Sequence, residues 1–234
     1  MPELGPVDLV VTSPPYNMGI TSGGGLKGDG TGSKWKAASR CGGLAQGYKE
    51  FKDAMPWPKY EKWQKEFISL AYSILSETGA IYYNHKPRPW NGEIRLPTIY
   101  NPGLPLRQVI IWRRNGGINF SQTHYVPSCE WILIICKKGF RLKNKGCSGE
   151  FDVWNINSIK SDDHPCPFPV ELPLKILNTV NSGLTLDPYM GRGTTAIACE
   201  RLNRKWIGIE ISEEYCEITA KRIEKETQQL KLFN

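Results

Sequence analysis

Near the start of the chain, the largely apolar run Val7–Thr12 (VDLVVT) stops against Ser13-Pro14-Pro15-Tyr16-Asn17. Apolar residues on consecutive positions suit a strand covered on both faces, the pattern of a parallel sheet flanked by helices. Pro14 and Pro15 then end the strand, because proline fixes φ at about −65° and brings no N–H to a ladder. The ring of Pro14 also holds Ser13 extended. Such a strand belongs inside a sheet with its carboxyl end at the surface, where open α/β sheets place ligands.

Short β-type runs recur at residues 80–84, 109–112, 131–136, 184–187 and 206–211. Amphipathic stretches lie between them. In residues 60–76, Trp63, Phe67, Leu70, Ala71 and Ile74 fall on one helical face, and Gly79 suits a left-handed cap beyond the last turn. Residues 170–180, 194–202 and 213–230 read as three further helices. Strands alternating with helices predict an α/β fold on a doubly wound, mostly parallel sheet. The 234 residues fit a single domain over 1–234. Three stretches depart from the pattern. Residues 18–59, with ten glycines between Gly19 and Gly47, read as a mobile loop. Residues 86–107 and 140–163 read as surface insertions that recognise a partner.

Composition narrows the classes. With 40% hydrophobic and 23% charged residues the chain is not wholly disordered, and its 23 glycines follow no collagen triplet. No apolar run approaches the ~20 residues of a membrane helix. MPELGPVDLV lacks the basic-then-apolar order of a secretion signal, so a cytoplasmic location is expected. Seven cysteines without a CxxC pair imply neither a disulfide framework nor a zinc site. His164 and Cys166 read as structural, and no metal is implied. There is no HExxH, no Walker loop and no Ser-His-Asp order. Thirty Lys and Arg against 23 Asp and Glu leave +7, which favours a polyanionic partner such as nucleic acid.

Two constellations carry chemistry. The proline corner offers the Ser13 hydroxyl and the Pro14 carbonyl as acceptors, since Pro15 has no N–H to occupy them, with the Tyr16 ring alongside. Two acceptors beside an aromatic face suit a planar group bearing an NH2. When that amine attacks an electrophile it gains positive charge, which the acceptors stabilise. Near the other end, Asp187-Pro188-Tyr189-Met190-Gly191-Arg192-Gly193-Thr194-Thr195 leads from a strand into a helix, and Glu210 follows on the next strand. The two glycines permit close backbone approach, Thr194 or Thr195 can cap the helix, and the acid suits a ribose diol. Together they specify a nucleoside cofactor without saying which.

Taken in order, TSPPYN, IYYNHKP, LRQVIIW, EWILIICKKG, HPCPFPVEL, DPYMGRGTT and GIEIS resemble the amino-group DNA methyltransferases. The resemblance is to the permuted beta subclass, whose catalytic half comes first. It implies a circularly permuted, Rossmann-like fold that transfers a methyl group from S-adenosylmethionine to the exocyclic amine of a flipped base. Ser13, Pro14, Pro15 and Tyr16 then correspond to the catalytic corner. Asp187, Tyr189, Gly191, Gly193, Thr194, Thr195 and Glu210 correspond to the cofactor wall, with Phe168 closing over it. Serine at the corner leans toward N4 of cytosine. N6 of adenine and a DNA-binding relative with weakened catalysis are the alternatives. Lys34, Lys36, Arg40, Arg88, Arg113, Arg114, Lys137 and Lys138 are the residues expected to meet DNA from loops rimming the strand ends. The implied partners are double-stranded DNA, a second copy in a homodimer and a cognate restriction endonuclease, in the nucleoid of a prokaryote or a phage host. Members usually carry a Gly-Asp segment before the corner strand, where MPELGP stands here.

Overall fold

The computed structural model describes residues 4–17, 51, 53–90, 92–115, 122–158 and 169–233. Its first elements are β1 (Val7–Thr12), α1 (Trp57–Ser73), β2 (Leu75–His85) and a hairpin of β3 (Arg88–Trp90) and β4 (Glu93–Arg95). A 3-10 turn (Pro97–Tyr100), β5 (Leu106–Arg113), β6 (Cys129–Cys136), α2 (Lys145–Ser148) and β7 (Val153–Asn155) follow. The chain then runs through α3 (Glu171–Thr179), β8 (Leu184–Asp187), α4 (Thr194–Arg201), β9 (Lys205–Gly208) and α5 (Glu213–Phe233).

Seven strands form one sheet in the order β7-β5-β6-β2-β1-β8-β9. β1 lies between β2 and β8 and is parallel to both. β9 is parallel to β8, and β7 to β5. β6 is antiparallel to both of its neighbours, β2 and β5. Among the strands of this sheet it alone runs backwards, so its carboxyl end lies at the end of the sheet where β1 and β2 begin.

Alternation along the strands divides the interior into two clusters, as the two-residue period of a pleated sheet requires. Leu9 and Val11, Ala80 and Tyr82, and Ile132 and Ile134 point to one face, where they meet Leu172, Ile176 and Leu177 of α3 and Ala198 and Cys199 of α4. Val10, Ile81 and Tyr83, and Leu133 and Ile135 point to the other, beneath Tyr60, Phe67, Ile68 and Ala71 of α1, and a register shift between Val7 and Leu9 brings Val7 to that face as well. Each large apolar side chain buried this way stabilises the fold by about 1.5–3 kcal/mol relative to exposure.

The strand cores lie where the apolar runs predict, and several boundaries do not. α1 begins at Trp57, inside the segment assigned to the loop 18–59. It ends at Ser73 with Ile74 as a right-handed C-cap, so Gly79 caps nothing. Gly79 instead sits within β2, where a Cβ would meet the Leu75 side chain at 3.0 Å and the Ser76 and Asp8 carbonyls just beyond. Residues 86–107 are not confined to the surface. Tyr100 is buried and packs edge-on against Tyr60 and Tyr83. Within 140–158, β7 joins the main sheet and buries Trp154. The expected strand 206–211 stops at Gly208, which puts Glu210 on a loop.

Candidate active site

Because β1 and β8 are parallel neighbours, in register at Leu9–Thr185 and Val10–Leu186, the proline corner and the glycine loop leave the sheet at the same end. Their junction is a side-chain clasp. Thr12 Oγ1 donates to Asp187 Oδ1 at 3.0 Å, across 175 residues of sequence. Thr195 Oγ1 donates to Oδ2 at 2.6 Å, and the Tyr189 amide to Oδ1 at 3.2 Å. Burial pushes the Asp187 carboxyl up to about 6 although all three donors oppose it. Asp187 thus joins the two loops through the protein's own donors rather than presenting an open carboxylate. Thr195, engaged there, does not cap α4, and no side chain does: the N-cap is Gly193.

The glycines serve the loop in different ways. Gly191 and Gly193 have φ of 52° and 73°, left-handed values that other residues rarely adopt. A Cβ on Gly193 would lie 2.3 Å from Thr219 Cγ2, so the bare position lets α5 pack on the loop. Thr219 Oγ1 fastens the same place by donating to the Gly191 carbonyl at 3.1 Å. Just past β9, half-buried Glu210 accepts from the Gly191 amide at 2.7 Å, and its other oxygen accepts from the Ile211 and Ser212 amides. The Tyr189 ring packs against Phe67 and Trp63 of α1, with centroids 5.0 and 5.9 Å away. Thr194 is buried at the start of α4.

At the corner, Asn17 turns left-handed with φ 54° and takes both Met55 backbone groups on its side chain, while its own amide donates to Asp53. Tyr60 Oη lies 2.6 Å from the Pro15 carbonyl and 2.8 Å from His85 Nε2. Full burial pushes the His85 ring down to about 3, so it is neutral. Among the described residues no donor reaches the Pro14 carbonyl.

Behind the corner is a polar cluster of Ser13, Tyr16, Asn84, Glu130 and Arg114, of which the sequence alone points to Ser13 and Tyr16 as corner residues and to Arg114 as a DNA contact. The Tyr16 hydroxyl, buried like the rest of the side chain, donates to Glu130 Oε2 at 2.9 Å and lies 2.5 Å from Ser13 Oγ. Asn84 Nδ2 donates to Tyr16 Oη at 2.7 Å and to Glu130 Oε2 at 2.8 Å. Arg114 Nη1 pairs with Glu130 Oε1 at 3.2 Å. Glu130 and Asn84 are about 95% buried, at 5% and 4% exposure. A signal was present in each case: polar residues inside otherwise apolar strand runs, IYYNH and CEWILIIC.

The basic residues divide by strand direction. Arg88 follows the carboxyl end of β2 and Arg113 is the last residue of β5, both on the same side as the corner. Arg113 Nη1 reaches Asn155 Oδ1 and remains exposed. Arg114 is turned inward onto Glu130 and the Pro127 carbonyl, so it is not an open contact for DNA. Lys137 and Lys138 follow the carboxyl end of β6 and therefore lie at the opposite end of the sheet, with the Lys137 ammonium 4.1 Å over the Tyr72 ring. Phe168, Lys34, Lys36 and Arg40 lie outside the described residues.

A family model described as DNA methylase, N6 and N4 type, matches residues 7–221. Type II methyltransferase M.BglII of Bacillus subtilis is 28% identical over 91% of this chain, which spans 62% of that relative's length. Of solved structures, PvuII DNA methyltransferase (cytosine-N4-specific) superposes with a TM-score of 0.67 at 16% identity, over 96% of this chain and 85% of that one. The M1.HpyAVI–SAM complex superposes at 0.59 and 21% identity, over 93% and 90% of the two chains.

Proposed function

Because the chain belongs to the N6/N4 DNA methylase family, we propose that it transfers a methyl group from S-adenosylmethionine to the exocyclic amine of a base flipped out of double-stranded DNA. The target we assign is N4 of cytosine. The observation that carries the reading is the Thr12–Asp187 clasp, which joins the amine-accepting corner to the glycine loop. The donor set of the loop suits the cofactor. Glu210 brings an acceptor-only carboxylate for a ribose diol, and Ile211 beside it, 74% exposed, brings an apolar surface for a purine ring. When bound, the cofactor supplies a methyl group already activated by a cationic sulfur, so the protein's task is alignment and charge stabilisation.

In this reading the Ser13 oxygen and the Pro14 carbonyl each accept one N–H of the amine and aim its lone pair across the clasp. The serine at the corner supports cytosine N4. Flipping is required because an amine inside the stacked duplex cannot reach a pocket. Arg88 and Arg113 on the corner's side suit the phosphates that flank the extruded base. A second copy of the chain and a cognate restriction endonuclease remain the partners we assign, the latter supported by the Type II name of M.BglII.

Tritiated methyl transfer to DNA, followed by nucleoside analysis, tests the assignment. The expected product is N4-methylcytosine. N6-methyladenine would reassign the base, and absence of transfer from a chain that binds S-adenosylhomocysteine would overturn the enzymatic reading. Ser13→Ala is expected to abolish transfer while leaving the affinity for S-adenosylhomocysteine within about threefold of wild type.

A further inference from the structure

Glu130 lies outside the corner and the glycine loop, yet it decides how the protons of the corner are arranged. One of its oxygens is held by Arg114, and the other receives donors from Tyr16 and Asn84. A tyrosine hydroxyl has a single proton, and here it is directed to the carboxylate. The 2.5 Å contact between Ser13 Oγ and Tyr16 Oη then leaves Ser13 as the donor. With its proton turned inward, Ser13 presents lone pairs outward. Asn84 follows the same control: its Nδ2 faces Glu130, while its Oδ1 is buried with no hydrogen-bond partner among the described residues. The reverse amide orientation would set two acceptor oxygens against each other.

We propose that Glu130 is the positioning residue of this site, orienting the Ser13 hydroxyl toward the base and receiving, through Ser13 and Tyr16, the proton that the methylated amine must lose. The proposal rests on the methyl-transfer reading above. The amine lone pair forms the N–CH3 bond as the S–CH3 bond breaks, its electron pair staying on sulfur. The amine nitrogen, now cationic, gives a proton to Ser13 Oγ. Ser13 passes its own proton to Tyr16 Oη, and Tyr16 passes its own to Glu130 Oε2. The step ends with a neutral methylamino base and a protonated Glu130, which returns its proton to water when product leaves. Both contacts of the route within the protein are already at hydrogen-bond distance, 2.5 and 2.9 Å. Asn84, with no proton to relay and no carboxylate to receive one, keeps the chain aligned.

The test compares wild type, Glu130→Gln, Tyr16→Phe and their double variant in single-turnover methyl transfer to DNA at one fixed pH. Both single variants are expected to lose about 100-fold in rate, within the range for general acid–base catalysis. The double variant should lose no more than either single one, because both cut one chain. The Km for DNA and the affinity for S-adenosylhomocysteine should stay within threefold, and Glu130→Asp should recover part of the rate. A Glu130→Gln rate within threefold of wild type overturns the proposal. So does a loss that multiplies in the double variant, or a loss of rate matched by equal losses of both affinities. Because Glu130→Gln strips a buried partner from Arg114, Glu130→Gln with Arg114→Met is measured alongside, and normal transfer by that pair also overturns it. Wild type that transfers no methyl group at all overturns the reading on which the relay rests, an outcome distinct from an active wild type with an indifferent variant.

Discussion

Gly193→Ala isolates the most constrained backbone position of the glycine loop. Two separate costs act there. Holding a non-glycine residue at φ 73° costs about 1–2 kcal/mol. The new methyl would also lie 2.3 Å from Thr219 Cγ2 and 2.9 Å from its Oγ1, well inside contact distance, so α5 or the loop must move. Overpacking of that kind costs typically ~1–3 kcal/mol, for a combined loss of about 2–5 kcal/mol. Thr219→Ala separates the two. It removes both offending atoms, leaves a tight Cβ contact at 3.1 Å, and gives up the hydrogen bond to the Gly191 carbonyl, about 1 kcal/mol. Guanidinium unfolding of the four proteins of this cycle reads the result as shifts in midpoint at constant slope. In the Thr219→Ala background, Gly193→Ala should cost only the backbone share, about 1–2 kcal/mol. A Gly193→Ala protein within 0.5 kcal/mol of wild type, a threshold about the size of an ordinary surface effect, would refute the packing argument. Equal costs in both backgrounds would refute the role given to Thr219.

Tyr60→Phe should lower stability by about 1–3 kcal/mol, since it strips the hydroxyl that links the Pro15 carbonyl to buried His85; thermal unfolding measures it. Asp187 holds its proton more tightly in the folded protein, at about 6 against an ordinary 3.8, so its contribution grows as pH falls through 6 and is complete below 3.8. The stability of wild type relative to Asp187→Asn should therefore rise by about 1 kcal/mol from pH 7 to pH 5, as read by denaturant titration; a constant difference would show that Asp187 does not titrate there. Lys137→Ala should leave DNA affinity within twofold, whereas Arg113→Ala should weaken it and reduce the slope of log affinity against log salt by about one. Filter binding across a salt series separates them, and the opposite ranking would put DNA at the other end of the sheet.

Sequence made the frame legible where one physical signal dominated. Val7–Thr12 and Leu184–Asp187 match their strands end to end, because turn-forming residues bound each apolar run. The apolar run through Ile209 and Ile211 predicts a strand around Glu210, yet both isoleucines are exposed on the loop. Lys137 and Lys138, expected at a rim that meets DNA, lie at the end of the sheet opposite the corner for a different reason. No local pattern reveals that β6 runs backwards, since direction is a property of the neighbours it pairs with. The same blindness hid Glu130. A carboxylate at the start of an apolar strand becomes intelligible only when the opposite strand brings Asn84, and the corner brings Tyr16, to within 3 Å of it.

β1 has consequences for synthesis on the ribosome. It leaves the exit tunnel before the other strands of its sheet, yet one of the two strands that shield it, β8, is encoded some 175 positions later, the span of the Thr12–Asp187 contact. At ~5–20 residues per second, the nascent chain displays one naked edge of this largely apolar strand for roughly 10–30 s. A ribosome that stalls in that interval releases a fragment with a ready template for aggregation. Until β8 pairs with it, that edge is the surface a chaperone would have to cover.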